Sequence, residues 1–206
     1  ILEQGGRQFN DPVFGLTLLS KNQRIEVLET HNQTAYTLPE NQTVLSILRD
    51  NIKKYPDSIA VSCQGQSLTY GELGRRVAEI AYALKYKGIE LQDRVGVFME
   101  RSAEFLVGLL GIWSLGAVYV PIDPLLPDER IDIICGDAQL KAVLSSGKLC
   151  ERLQRGVFPI SCDVIDVNSI PRGMPVEEWY IHEIVSEFQS YIIYTSGSTG
   201  KPKGAV

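Results

Sequence analysis

The residues best suited to chemistry lie near the end of the sequence, in a stretch rich in glycine, hydroxyl and lysine side chains. Glycines let the backbone turn so that several N–H groups converge on an anion, while hydroxyls add neutral donors and lysines add positive charge. A polyphosphate needs all three kinds of group. The stretch reads Thr195-Ser196-Gly197-Ser198-Thr199-Gly200-Lys201-Pro202-Lys203-Gly204.

Two common nucleotide-binding patterns do not fit this loop. A Walker A loop, G-x-x-x-x-G-K-[ST], requires glycine where Thr195 stands and serine or threonine where Pro202 stands. The dinucleotide fingerprint G-x-G-x-x-G is absent from the sequence as well. From composition alone, a flexible surface loop with two solvated lysines, Lys201 and Lys203, stays an alternative.

The elements ahead of the loop alternate between strands and helices. This order predicts an α/β fold, a mainly parallel sheet with helices on both faces. Apolar runs predict strands at residues 94–99, 117–121, 140–144, 164–167 and 191–194. The loop follows the last strand directly, and the carboxyl ends of strands are where open α/β sheets bind ligands.

Capping signals predict where several helices begin. Ser20 with Gln23, and Thr69 with Glu72, have the spacing of a capping box, and Thr43 can cap a third helix. The polar segment before Thr43 differs in composition from the rest, so we expect compact folding to begin there.

One uncharged run, residues 105–122, reaches the length of about 18 residues that a membrane helix needs. Four residues interrupt the run: Gly108, Gly111, Gly116 and Pro121. Because glycine commonly ends a helix, a division at Gly116 predicts a buried helix followed by a buried strand. We therefore expect this run to lie inside the fold and not in a membrane.

Charge and cysteine content exclude several classes of function. The net charge is −5 and no polybasic run is present, which disfavours nucleic acid and anionic membranes as partners. The four cysteines form no C-x-x-C pair, and the two histidines lack metal-site spacing. We expect no metal site, and reduced thiols of a cytoplasmic protein.

Four stretches together resemble the adenylate-forming, AMP-binding superfamily, and most closely the adenylation domains of nonribosomal peptide synthetases. The resemblance extends over residues 43–206, with the motifs in the family's order. Residues 191–204 are similar to the third core motif of these domains. The other stretches are Leu68-Thr69-Tyr70-Gly71-Glu72-Leu73, Leu115-Gly116-Ala117-Val118-Tyr119-Val120-Pro121-Ile122-Asp123-Pro124 and Pro127-Asp128-Glu129-Arg130-Ile131.

The resemblance also implies a domain organisation. Residues 18–34 are similar to the linker that joins an upstream condensation domain to an adenylation domain. We therefore expect residues 1–42 to be this inter-domain linker, and residues 43–206 to be the N-terminal portion of the adenylation domain, truncated after the phosphate-binding loop. Trp113 departs from the family pattern, which we interpret as a variation in packing.

The resemblance implies a two-step, ATP-dependent ligase reaction in the intact parent protein. An amino acid is activated with ATP·Mg²⁺ as aminoacyl-AMP and then passes to the phosphopantetheine thiol of a downstream peptidyl carrier domain. The catalytic lysine is expected downstream of this span, so we expect the 206 residues alone to be inactive. Two alternatives stay open: a fragment of an acyl- or aryl-acid CoA ligase, and a non-catalytic α/β interaction module.

Site residues follow from the same resemblance. The matching loop in the family embraces the β- and γ-phosphates of ATP, and Lys201 occupies a position that often faces solvent. The glycines of the loop, Gly197, Gly200 and Gly204, are expected to give the loop its shape and to supply backbone N–H donors. The expected phosphate-binding residues are Thr195, Ser196, Gly197, Ser198, Thr199, Gly200, Lys203 and Gly204.

Overall fold

The chain divides into two compact units, Ile1–Gln42 and Thr43–Val206. In the first unit, the predicted capping box of Ser20 and Gln23 begins helix α1 (Lys21–Ile25), which widens into a π-helical segment, Glu26–Thr30. Neither segment buries a residue, and local hydrogen bonds such as those of Ser20 with Gln23 support them. A computed structural model describes residues 19–35, 37, 42–155, 162–173, 188–196 and 202–206.

The second unit begins with a capped helix and a hairpin. The Thr43 hydroxyl accepts a hydrogen bond from the Ser46 N–H at 3.1 Å and begins α2 (Val44–Lys54), as predicted. Strands β1 (Ile59–Cys63) and β2 (Gln66–Thr69) then pair antiparallel. Their two-residue turn has positive φ angles at both residues, which matches the twist of a hairpin.

Helix α3 (Tyr70–Tyr86) follows β2 without a loop. Its start is the predicted capping box, in which the Thr69 hydroxyl accepts from Glu72 N–H and the Glu72 carboxylate accepts from Thr69 N–H. One face is buried, as the 3.6-residue period of its apolar positions predicts. The buried apolar residues of this face include Leu73, Val77, Ile80, Ala81 and Leu84.

A parallel sheet of four strands forms the centre of this unit. In chain order the elements are β3 (Arg94–Phe98), α4 (Ala103–Ser114), β4 (Val118–Pro121), α5 (Asp128–Ala138), β5 (Ala142–Ser145), α6 (Gly147–Gln154) and β6 (Asp163–Asp166). The order of the strands in the sheet is β4-β3-β5-β6, so the chain runs from β3 to one neighbour and then crosses to the other side of β3. Helices connect the strands, which is the doubly wound arrangement.

Helices cover both faces of this sheet, which confirms the predicted fold class. Because side chains alternate along a strand, Val97 and Phe98 point to opposite faces. Val97 packs in a core cluster with residues of α3 and α4, whereas Phe98 packs in a second cluster with Ile131 of α5 and Leu153 of α6.

The uncharged run of residues 105–122 divides as its glycine predicts. Helix α4 ends at Ser114, Gly116 has a φ of 66°, and β4 begins at Val118. A positive φ is strained for other residues, so Gly116 provides the change of direction between helix and strand. None of the described helices is long and apolar enough to cross a membrane.

Buried charges join α3, α4 and the segment after β6. Arg76 and Glu79 are 4% and 3% exposed, and the Arg76 guanidinium contacts Glu79 at 2.5 Å and Glu104 at 2.9 Å. The second oxygen of Glu79 accepts a hydrogen bond from the Gly173 N–H at 2.7 Å. Each carboxylate oxygen of Glu79 therefore has its own donor.

All four cysteines are free thiols. Burial is the main cause that raises the pKa of Cys135 to about 12 and that of Cys162 to about 11. Such thiols stay protonated near neutral pH and pack as small apolar groups. Among the residues that the structure describes, no group of three or more histidine, cysteine, aspartate or glutamate side chains could hold a metal ion.

Candidate phosphate-binding site

Four of the predicted phosphate-binding residues lie in two paired β-strands: Thr195, Ser196, Lys203 and Gly204. Strand β7 (Ile193–Ser196) pairs antiparallel with β8 (Pro202–Ala205), which places Thr195 opposite Lys203. The sequence predicted a strand at residues 191–194 followed by a loop, but the strand continues to Ser196, and residues 202–205 form a second strand. The predicted residues Gly197, Ser198, Thr199 and Gly200, like Lys201, lie outside the described residues.

Thr195 and Lys203 share one face of the hairpin. Directly opposed residues of an antiparallel pair have Cβ atoms about 4.5–5.5 Å apart and point to the same side. Both residues are exposed. The hairpin therefore presents a hydroxyl and an ammonium group side by side to solvent, a combination that suits an anionic oxygen.

The opposite face of the hairpin is closely packed around Gly204. This glycine pairs with Tyr194, and a Cβ atom added to it would lie 2.8 Å from Cγ2 of Ile192 and 3.2 Å from Cζ of Tyr194. Real Cβ atoms hardly ever approach other atoms to 2.8 Å. Gly204 is thus needed for close packing, whether or not its backbone also contacts a ligand.

A hydrogen bond attaches this packed face to helix α5. The Tyr194 hydroxyl donates to Oδ2 of Asp137 at 2.6 Å. Burial, and secondly the hydrogen bond to this carboxylate, raise the pKa of Tyr194. The hydroxyl therefore stays protonated and remains a donor throughout the neutral pH range.

The segment leading into β7 extends the central sheet. Tyr191 forms a parallel bridge with Tyr119 of β4, in which the Tyr119 N–H donates to the Ser190 carbonyl at 3.1 Å and the Ile192 N–H donates to the Tyr119 carbonyl at 2.9 Å. Strand β7 continues in the direction of β4 and passes its end at Pro121. The hairpin therefore lies toward the carboxyl end of β4, the end at which open α/β sheets bind ligands.

Two side chains that the sequence analysis did not connect with the site hold this leading segment. The Trp113 Nε1–H donates to the Ser190 carbonyl at 2.8 Å, and the Gln92 carboxamide exchanges hydrogen bonds of 3.1 and 2.9 Å with the backbone of Gln189. Trp113 thus anchors the chain before β7, in addition to packing. No local pattern indicates these contacts, because the partners lie 77 and 97 residues apart in sequence.

Two cavities lie away from the Thr195 and Lys203 pair. One, of about 290 Å³, is lined by residues that include Val44, Trp113 and Phe188, and the described residues around it are uncharged. The other, of about 250 Å³, lies at the carboxyl ends of β3 and β5 and is lined partly by Arg101 and Lys148, together with Glu100. Among the described residues that line these two cavities, none is a predicted phosphate-binding residue.

Sequence comparison defines the class of protein. The profile of the family described as AMP-binding enzyme matches residues 48–206. The match extends over more than half of the chain, so the chain belongs to the AMP-binding enzyme family.

Within this family, the chain is similar to peptide synthetases. It is 34% identical over 191 residues to gramicidin S synthase 2 of Brevibacillus brevis, a match that covers 93% of this chain and 4% of that protein. It is 33% identical over 208 residues to bacitracin synthase 3 of Bacillus licheniformis, covering 100% of this chain and 3% of that protein. The chain thus spans only a small part of the curated relatives it matches.

Solved structures agree with this assignment. A four-domain nonribosomal peptide synthetase bound to AMP and glycine matches with a TM-score of 0.64 and 32% identity, over 79% of this chain and 11% of that one. A fatty acid AMP ligase from Legionella pneumophila, with a TM-score of 0.71 and 22% identity over 82% of this chain and 32% of that one, shows the fold alone. The predicted resemblance to nonribosomal peptide synthetases is therefore confirmed, and it is favoured over the acyl-CoA ligase and non-catalytic alternatives.

Proposed function

We propose that the β7–β8 hairpin binds the triphosphate of ATP in a domain that activates an amino acid as its adenylate. The observation that carries this proposal is the pairing of Thr195 with Lys203 on an exposed face at the carboxyl edge of the sheet. The intervening residues add hydroxyls and glycine backbone donors to the same hairpin. They are Gly197, Ser198, Thr199 and Gly200.

The proposed chemistry requires alignment and charge neutralisation more than covalent participation of the protein. The amino-acid carboxylate attacks the α-phosphorus of ATP, and the bond from that phosphorus to the pyrophosphate oxygen breaks. The hydroxyls of Thr195, Ser196, Ser198 and Thr199 donate hydrogen bonds to the β- and γ-phosphates, and Lys203 neutralises their charge. Mg²⁺ arrives with ATP as part of the substrate complex.

These contacts accelerate the reaction only if they strengthen as pyrophosphate leaves. A charge-assisted hydrogen bond contributes about 1.5–3 kcal/mol. The Lys203 ammonium meets a leaving group that gains negative charge during bond breakage, so its attraction grows toward the transition state. Backbone N–H groups of Gly197, Gly200 and Gly204 would add fixed donors without a reorganisation cost.

The proposal extends to the domain boundaries of the chain and to the neighbouring domains of the parent protein. Residues 1–42 are proposed as a linker after a condensation domain, and residues 43–206 as the N-terminal portion of the adenylation domain; the division of the structure at Gln42 and Thr43 supports this boundary. The acyl group would pass to a phosphopantetheine thiol on a downstream peptidyl carrier domain. Free thiols support a reducing, cytoplasmic location.

The direct test is amino-acid-dependent exchange of pyrophosphate into ATP by a complete adenylation domain that contains this chain. A panel of amino acids, fatty acids and aryl acids is assayed in parallel, with and without coenzyme A. Exchange driven by an amino acid supports the proposal. Acyl-CoA formation without such exchange would identify a CoA ligase instead, and the absence of both exchange and ATP binding would overturn catalysis altogether.

A further inference from the structure

We infer that Tyr194 is a positioning residue, which sets the phosphate-binding face of the hairpin through a latch formed by Tyr194, Asp137 and Gly204. This inference rests on the proposed function, because it concerns how the same hairpin is presented to ATP. Neither Tyr194 nor Asp137 is among the residues expected to contact phosphate.

The latch connects three elements through one side chain. The Tyr194 ring, from β7, lies against Gly204 of β8, and its hydroxyl donates to Asp137 of α5 at 2.6 Å. Helix α5 is itself fixed in the core by Ile131 and Ile134, which are 0% and 2% exposed. Asp137 is therefore a firm reference point, and Tyr194 transmits its position to both strands of the hairpin.

Strand alternation relates the latch to the proposed site. Tyr194 and Thr195 are neighbours, so their side chains point to opposite faces of the hairpin. Holding the Tyr194 face against α5 therefore holds Thr195, and its partner Lys203, toward solvent. A shift of one residue in register would reverse both faces.

The register of the hairpin depends on contacts outside its own two strands. An isolated two-stranded hairpin is at best marginally stable in water. On the outward face of β7–β8, Thr195 and Lys203 are exposed, and the apolar side chain of Ile193 is 44% exposed as well. The packing of the half-buried Tyr194 and the buried Ile192 against Gly204, together with the hydrogen bond to Asp137, supplies the specificity that the exposed residues lack.

The test compares four single variants of the complete adenylation domain, and the double variant of Tyr194→Phe with Asp137→Ala, in pyrophosphate exchange. Tyr194→Phe and Asp137→Ala each remove the hydrogen bond, whereas Asp137→Asn keeps an oxygen that can accept it. Tyr82→Phe is the matched control, since it removes a hydroxyl from a tyrosine on α3 that is 49% exposed. Melting temperatures are measured for all five proteins.

A positioning role predicts a selective loss. Tyr194→Phe and Asp137→Ala raise the KM for ATP about ten-fold and leave the KM for the amino acid unchanged, because a misplacement of about 1 Å at a substrate contact is costly. The two changes combined cost no more than either one, since they remove the same bond. Asp137→Asn and Tyr82→Phe stay within about two-fold of the wild-type KM.

Two results would overturn the inference: a wild-type KM for ATP in Tyr194→Phe, or a lowered melting temperature with no selective change in that KM. Lys203→Ala in the same assay separates this failure from failure of the proposed function. If Lys203→Ala is impaired in pyrophosphate exchange while Tyr194→Phe is normal, the inference about Tyr194 is wrong and the proposed function stands. If both are normal, the hairpin does not bind the triphosphate.

Discussion

Gly204 illustrates how one residue type can serve two requirements. Glycine-rich composition indicates backbone donors and tight turns, and the resemblance assigned Gly204 this role. The structure adds a steric requirement, because Ile192 and Tyr194 occupy the space where a side chain would begin. Tyr194 is held by Asp137 and so cannot move away without losing a hydrogen bond.

Replacing Gly204 by alanine is therefore expected to destabilise the protein. Gly204→Ala should lower the free energy of unfolding by about 1–3 kcal/mol, as overpacking does. Gly136→Ala is the control, since an added Cβ there meets nothing within 4 Å and the residue lies in helix α5. In the control variant the free energy of unfolding should increase by about 0.5–1 kcal/mol. Urea denaturation measures both, and equal stabilities of the two variants would contradict the packing argument.

Thiol reactivity provides a second test at this scale. With the pKa of Cys135 raised to about 12, its thiolate fraction at pH 8 is about 10⁻⁴, on the order of a thousand-fold below that of an ordinary thiol. Iodoacetamide should therefore label the half-exposed Cys63 well before Cys135, as followed by mass spectrometry of peptides. In urea the difference should disappear. Rapid labelling of native Cys135 would show a reactive thiol instead of a packed one.

At the scale of elements, patterns among residues close together in sequence predicted the ends of helices correctly. Capping boxes predicted the starts of α1 and α3 because a cap involves residues only three apart, and Gly116 predicted the end of α4 for the same reason. Strand β8 was missed because Pro202 and Gly204 argue against a strand. Pro202 is nevertheless compatible with the first position of an edge strand, where no ladder N–H is needed.

The buried charges between α3 and α4 lead to a prediction about stability. Glu79→Ala would leave the Arg76 guanidinium with Glu104 alone and the Gly173 N–H without its acceptor, so unfolding should become easier by about 3 kcal/mol or more. Glu151→Ala is the contrast, because it removes an exposed pair with Arg155 and should cost at most about 0.5 kcal/mol. Thermal and urea unfolding measure the difference. Similar losses in the two variants would mean that the buried network contributes no more than a surface pair.

At the scale of the whole molecule, the fold was more predictable than the surroundings of the site. The alternation of strands and helices was sufficient to predict a parallel sheet covered by helices on both faces. Each element can be recognised by itself, because the spacing of apolar residues along the sequence differs between helices and strands. The supports of the hairpin join residues that are distant in sequence, such as Tyr194 with Asp137 and Trp113 with Ser190. Such contacts leave no periodic pattern, so the sequence predicted candidate phosphate-binding residues but not the side chains that hold the hairpin in place.

The share of the fold that this chain covers leads to a prediction about activity. It covers 40% of the length of a solved N-terminal subdomain with the same fold, which it matches with a TM-score of 0.68 at 24% identity. We expect residues 1–206 alone to show no amino-acid-dependent pyrophosphate exchange above a blank without enzyme. The complete domain serves as the positive control. Robust exchange by the 206-residue chain with any amino acid would contradict this expectation.

Substitution of Lys203 tests most directly whether the β7–β8 hairpin binds the triphosphate of ATP, as we propose. Lys203 stands opposite Thr195 in the paired strands, whereas Lys201 matches a position that often faces solvent. In the complete adenylation domain, Lys203→Ala should slow adenylation by about ten- to a thousand-fold, with Lys201→Ala affected less and both melting temperatures nearly unchanged. Adenylation rates near wild type in both variants would contradict the claim.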